Sequence, residues 1–502
     1  MAAELLLRNA RLVGGDPDPV DLLVRDGQVA RIVAAGWLSA EGQPGETLDL
    51  DGRWLLPGLA DRHVHLLQWA KASRRLDLSG AGSAAEVLGL VGQAVASGVS
   101  EVVGFGFRDG LWPDRPTVTG LDAVTGGVPV VLVSGDLHAA WLNSPALRRY
   151  GVAAPDGLIR EAVAFAVLQQ LDAIDAATGD RWVLDALRAA AARGVTSITD
   201  LEMEWGFGTW PRRAALEPLA ARVEIGFYPA DLDRAIGAGL HTGESVPGTA
   251  GRARVGPLKI ITDGSLNTRT AWCVDPYPGM ERSDHPQGVS SMPPDQLVEL
   301  LARAHAHGLR AAVHAIGDRA NQVVLDAFAT TGARGSVEHA QLLRRADVAR
   351  FAELGLVASV QPEHAMDDRD VADRYWAGRT DRAFLLRALA DAGATLAFGS
   401  DAPVAPLDPW VAIAAAVTRS RNGLAPWHPE QCLDPATAIA ASTDGVGVVR
   451  EGLPADLVVV ERDPLTSSGE QLRVMPVWAT MLAGSWTHLP PEVSPFPGPA
   501  PA

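Results

Sequence analysis

Short apolar runs and amphipathic stretches alternate along most of the chain. Near the start, Glu4 to Leu12, Asp21 to Arg25, Gln28 to Ala34 and Thr47 to Asp49 read as strands, with Gly14-Gly15 and Asp26-Gly27 as turn signals. Near the other end, Asp456 to Glu461 and Val474 to Ala483 repeat that pattern. The two ends are therefore expected to build one small β-sandwich domain from residues 1–56 and 446–488. Between them, strand and helix patterns alternate, which implies parallel β/α architecture. An opening strand pattern within residues 55–65 is followed by seven more: Thr196 to Asp200, Val223 to Phe227, Gly256 to Thr262, Arg310 to His314, Ser336 to Ala340, Val357 to Gln361 and Thr395 to Gly399. Helical periodicity separates most of them, as in Pro294 to His307 with Leu297, Leu300, Leu301 and Ala304 on one face and Gly308 as the stop. Eight such strands predict an α/β fold of the (β/α)8 TIM type over residues 57–66 and 180–445.

Residues 67–179 are too long for one βα loop and contain their own strand pattern, Val128 to Val133. They are expected to form an insertion over the barrel mouth after the first strand. Residues 489–502 are Pro-rich and are expected to be a disordered tail.

With hydrophobic residues at 47% and charged residues at 21% of 502, a sizeable buried core follows. The net charge of −17 and a pI near 5.1 argue against nucleic acid or an anionic membrane as partner. Cys273 and Cys432 are the only cysteines, no CxxC occurs, and the first residues lack a basic segment followed by a sustained apolar one. A cytoplasmic location is expected. Lys71 and Lys259 are the only lysines among 43 Lys and Arg residues. Where Arg serves as the general cation, a surviving Lys points to chemistry that Arg cannot supply. Lys259 lies in a strand pattern running into a loop, whereas Lys71 lies in a polar, Arg-flanked segment.

Candidate chemistry concentrates at the C-terminal ends of the barrel strands, where such folds place their active sites. His63 and His65 are two apart on the first strand, so their imidazoles share a face as paired metal ligands must. Lys259 belongs to strand four, His314 to strand five, His339 to strand six and Asp401 to the end of strand eight. His305 and His307 also have His-x-His spacing, but on a helix, where residues two apart face differently; no metal is assigned to them. Gly104-Phe105-Gly106 lacks the rest of a phosphate-loop motif.

Pro57-Gly58-Leu59 with His63-Val64-His65, and Ser400-Asp401-Ala402-Pro403, resemble the first-strand and eighth-strand motifs of the metal-dependent amidohydrolase superfamily. Lys259 with Asp263-Gly264-Ser265, His314 to Ala320, and Asp136 to Ser144 are similar to its YtcJ-like branch, amidohydrolase family 3. Arg62 departs from the superfamily, which more often has a small or acidic residue there. The resemblance implies a hydrolase of non-peptide carbon–nitrogen bonds in a small-molecule substrate, with possible homodimerisation. It implies one divalent metal on His63, His65 and Asp401 and a second on His314 and His339. Lys259 would bridge them as a CO2-derived carbamate. Mixed nitrogen and oxygen ligation suits zinc, with manganese or iron as alternatives. The same resemblance makes Asp401 the general base and then acid. His138, Trp141, Asn143 and Gln361 are candidate substrate contacts. A metal-dependent esterase on the same site, or a non-catalytic barrel binding protein, are the rival readings.

Overall fold

The structure is a computed structural model that describes residues 4–16, 18–37, 46–107, 109, 112–134, 139–171 and 174–491. It divides into two compact units, Met1–Leu66 with Leu184–Ala502, and Leu67–Val183.

In the larger unit, both chain ends contribute to one eight-stranded sheet. Glu4–Leu12, Val20–Arg25, Gln28–Ala34, Glu46–Asp49 and Trp54–Pro57 come from one end, and Leu457–Val460, Val477–Leu482 and Ser485–His488 from the other. The two sets join where Trp54–Pro57 pairs antiparallel with Leu457–Val460, Leu457 opposite Pro57. Leu7, Leu22, Val24, Leu55, Val459 and Met481 share one buried apolar cluster there.

A second sheet holds eight strands, all parallel and in chain order. They are Leu59–Val64, Val195–Asp200, Arg222–Phe227, Ala253–Ile261, Ala311–Ala315, Gly335–His339, Val357–Val360 and Thr395–Phe398. The first and eighth meet through a parallel bridge between Val64 and Ala402. Asp401 N donates to His63 O at 2.7 Å, and His65 N donates to Ala402 O at 2.9 Å, so the sheet closes as a (β/α)8 barrel. Lys259 lies opposite Ala312, and Ala315 opposite His339. This register carries the polar residues of successive strands to the same end.

The smaller unit is more elaborate than the single expected strand. Leu158–Arg160, Ala139–Leu142, Val130–Ser134, Val102–Phe107 and Leu76–Asp77 form a five-stranded sheet in that order. Val130 and Leu132 enter one buried cluster, Val131 and Val133 another, because side chains alternate faces along a strand. Helices including Ala84–Ala96, Val118–Thr125 and Ser144–Tyr150 accompany this sheet.

Candidate metal centre

Leu59, Ala60 and Val64 are fully or almost fully buried and fix the first barrel strand in the wall. Its end presents His63 and His65 together, with ring centroids 5.6 Å apart. Across the seam, Asp401 Oδ1 lies 3.4 Å from His63 Nε2 and 3.5 Å from His65 Nε2. Lys259 Nζ approaches His63 Nε2 to 3.4 Å. The His339 ring is 4.9 Å from that of His63 and 4.5 Å from that of His314. Donor atoms of His63, His339 and Asp401 all lie within 4.8 Å of one another. The six residues expected to hold metal thus converge at one end of the barrel. His364, from the segment after strand seven, joins them: its Nε2 is 4.0 Å from Asp401 Oδ2.

A supporting layer holds these side chains. His63 Nδ1 is 2.7 Å from Glu338 Oε2. His339 Nδ1 is 2.8 Å from Gln361 Oε1. Asp61 Oδ1 accepts from Ser400 N at 2.9 Å and His63 N at 3.2 Å, bracing the seam beside Asp401. Asp263 accepts from Ile316 N through Oδ1 and from Gly317 N and Trp272 N through Oδ2. Asp263 Oδ1 also lies 3.3 Å from His314 Nε2. Glu338 and Asp61 were not singled out in the sequence. Strict alternation sends Glu338 and His339 to opposite faces of their strand. His339 has φ of 73° and Ala340 of 42°, so the strand end leaves extended geometry and alternation no longer governs the pair. The one available signal was the adjacency of an acidic residue to a candidate ligand.

Burial dominates the electrostatics. It lowers the Lys259 pKa, opposed by Glu338 and Asp401. It raises Asp401 to about 7, opposed by Lys259. It also holds His63 and His339 well below the ordinary imidazole range and brings His65 and His364 down to about 4. Neutral imidazoles are the ligating form. Three buried imidazole nitrogens, His65 Nδ1, His314 Nε2 and His364 Nε2, make no hydrogen bond among the described residues. Neutral nitrogens, an acidic oxygen and unsatisfied buried polar atoms at one point fit a divalent cation.

The tentative substrate contacts divide differently. Trp141 is wholly buried in the core of the smaller unit, and its Nε1 donates to Thr117 O. Asn143 caps the helix Ser144–Tyr150 by accepting from Ala146 N, and its amide also meets Val130 N, Thr125 Oγ1 and Val128 O. Both are structural residues, because every polar atom they offer is consumed by their own unit. Gln361 is buried, and its Oε1 meets His339 Nδ1. His138 and residues 492–502 lie outside the described residues. Arg62 forms an ion pair with Asp444 and lies 3.8 Å from Glu224, so its departure from the superfamily pattern serves the barrel wall.

This architecture and site define a metal-dependent hydrolase of the TIM-barrel class. The sequence profile of the Amidohydrolase family matches residues 46–488, and the chain belongs to that family. It is similar to "Putative amidohydrolase YtcJ" of Bacillus subtilis, with 27% identity covering 88% of this chain and 90% of the relative. It is 25% identical to "N-substituted formamide deformylase" of Arthrobacter pascens, over 92% of this chain and 94% of that protein. Among solved structures, an uncharacterized metal-dependent hydrolase from Pyrococcus horikoshii superposes with a TM-score of 0.76 at 25% identity, covering 93% of this chain and 99% of that one. The chain is accordingly a YtcJ-like amidohydrolase, an enzyme that hydrolyses carbon–nitrogen bonds other than peptide bonds. Among the described residues, no helix is long and apolar enough to cross a membrane.

Proposed function

We propose that the protein is a zinc-dependent hydrolase of the amide-type bond of a small molecule, acting in the cytoplasm. The observation that carries this reading is the convergence of His63, His65, Lys259, His314, His339 and Asp401 at one barrel end, with His63, His339 and Asp401 donor atoms within 4.8 Å of each other. The formamide-cleaving relative supports an acyl–nitrogen bond as the target. Those six residues would hold zinc, Lys259 as the carbamate that its neutral amine would form with CO2. Burial lowers the Lys259 pKa, which favours the neutral amine that carboxylation requires, and Arg cannot reach that state. When bound, zinc supplies Lewis acidity toward the substrate carbonyl and toward water.

Asp401 handles the proton. Its carboxylate accepts a proton from the attacking water at Oδ and then delivers it to the leaving nitrogen. Asp61 and the backbone contact from Asp401 N to His63 O keep that carboxylate against the two imidazoles. The free thiols of Cys273 and Cys432 accord with a reducing compartment.

The test pairs metal content of purified protein with hydrolysis of N-acyl amides and matched esters. Zinc in the protein and turnover of amides, abolished by chelation and restored by zinc, is the expected result. Metal-free protein that stays folded and gains no activity with zinc or manganese overturns it. Turnover of the esters alone replaces amide cleavage with ester cleavage.

A further inference from the structure

The imidazoles of His63 and His339 face each other across the centre, yet they are held from behind by chemically different groups. His339 Nδ1 meets the neutral amide oxygen of Gln361 at 2.8 Å. His63 Nδ1 meets the carboxylate oxygen of Glu338 at 2.7 Å. We propose that Glu338 is a positioning residue that makes His63 the anchoring nitrogen donor of the metal centre; this rests on the metal-dependent reading above.

Three donors converge on the two Glu338 oxygens. Ser359 Oγ donates to Oε2 at 2.6 Å, the same oxygen that takes the His63 Nδ1 proton, and Ser336 Oγ donates to Oε1. Glu338 and His63 are both about 1% exposed, so water competes for none of these bonds. The carboxylate therefore has one orientation, and so has the ring it holds. An acceptor at Nδ1 fixes the tautomer with hydrogen on Nδ1 and a lone pair on Nε2. On the far side of the ring, Lys259 Nζ lies 3.4 Å from His63 Nε2. On the same side, His63 Nε2 lies 3.4 Å from Asp401 Oδ1, the acidic oxygen with which it would share a cation.

A charged acceptor polarises an imidazole more than an amide oxygen does, and raises the basicity of the opposite nitrogen. His63 is thereby the stronger donor and His339 the weaker. Glu338→Gln is close to isosteric and keeps an oxygen for the Nδ1 proton, so it isolates the charge.

Competition of the full-length protein against a chromogenic chelator measures zinc affinity directly, without reference to turnover. Glu338→Gln is expected to bind zinc about 10- to 100-fold more weakly than wild type. The visible spectrum of its cobalt(II) form is expected to shift, which a purely architectural role would leave unmoved. Ser359→Ala retains the charge but removes one anchor, and is expected to lose roughly threefold or more, below the full loss. If Glu338→Gln does not accumulate as folded protein, Ser359→Ala decides. Zinc affinity within about twofold of wild type in the deciding variant overturns the assignment. Wild-type protein that binds no zinc overturns the metal-dependent reading itself, and this assignment with it.

Discussion

Lys259 is the residue on which composition and structure bear most directly. It is 2% exposed in a chain that uses Arg almost everywhere else a cation is needed. Its burial among the candidate ligands leads to a sharp expectation. Lys259→Ala should lose activity by at least about 100-fold, the upper end for loss of support at a metal ligand. Formate or acetate should restore part of it by supplying the missing anion. Full activity in the unsupplemented variant would remove the carbamate from the account. Asp401→Asn should lower kcat by about 100-fold or more, the range for a missing acid–base group, with zinc content and turnover measured together.

Asp368 offers a pH test away from the metal centre. Burial and the neighbouring Asp367 raise its pKa to about 7, opposed by a hydrogen bond from Asn267 Nδ2 at 3.2 Å. Its unfolded value is about 3.9. Between those values the folded state binds more protons than the unfolded state, so this group makes stability fall as pH rises from about 4 to 7. Asp368→Asn keeps an acceptor for Asn267 and removes the charge. Urea unfolding at pH 5 and pH 8 should show a smaller loss in the variant, and higher stability than wild type at pH 8. An identical loss in both proteins would exclude Asp368 as the source.

At the scale of elements, the seam between the first and eighth barrel strands determines whether the centre is assembled. Gly399 is required there by close approach: a Cβ would stand 2.7 Å from His63 Cβ and 2.8 Å from His63 N, closer than packed atoms allow. The Asp61 carboxylate accepts from Ser400 N across the seam and from His63 N on its own strand. Asp61→Ala leaves both buried amides unpaired, at about 1–3 kcal/mol each, so a loss of about 2–6 kcal/mol is expected in denaturant unfolding. A change below about 1 kcal/mol would show that the strands close without this carboxylate. Two of the candidate ligands leave strand geometry at this end: Asp401 has φ of 55° and His339 of 73°, conformations unusual for non-glycine residues.

Across the whole molecule, the candidate ligands come from strands one, four, five, six and eight, which makes the centre a cross-link between distant parts of the barrel. Zinc bound to the folded state alone should stabilise it by about 4 kcal/mol at a free concentration of 1,000 Kd. Thermal unfolding after exhaustive chelation should therefore begin at a lower temperature and recover with added zinc. No shift in either direction would mean that the folded chain gains nothing from the ion.

The barrel was legible because its information is local. Each parallel strand is buried on both faces and reads as a short apolar run, and each helix carries its own periodicity. The observed strand Ala311–Ala315 is displaced by one residue from the expected Arg310 to His314, and Ala253–Ile261 begins three residues before the expected Gly256. The smaller unit was harder to read, since Leu158–Arg160 and Ala139–Leu142 are too short for a period of two to register. Trp141 and Asn143 sit in a stretch that resembles the family, and only packing reveals that a core and a helix cap account for them.

What the sequence by itself determined was the barrel, the ligand types and the retained lysine, because hydrophobic period and side-chain chemistry are properties of short stretches. What only the tertiary structure decided was the partnership between residues hundreds of positions apart: Glu338 behind His63, Gln361 behind His339, and Asp61 across the seam to Ser400. A hydrogen bond depends on ångström distances and on which tautomer its partner imposes, and neither exists until the strands have closed.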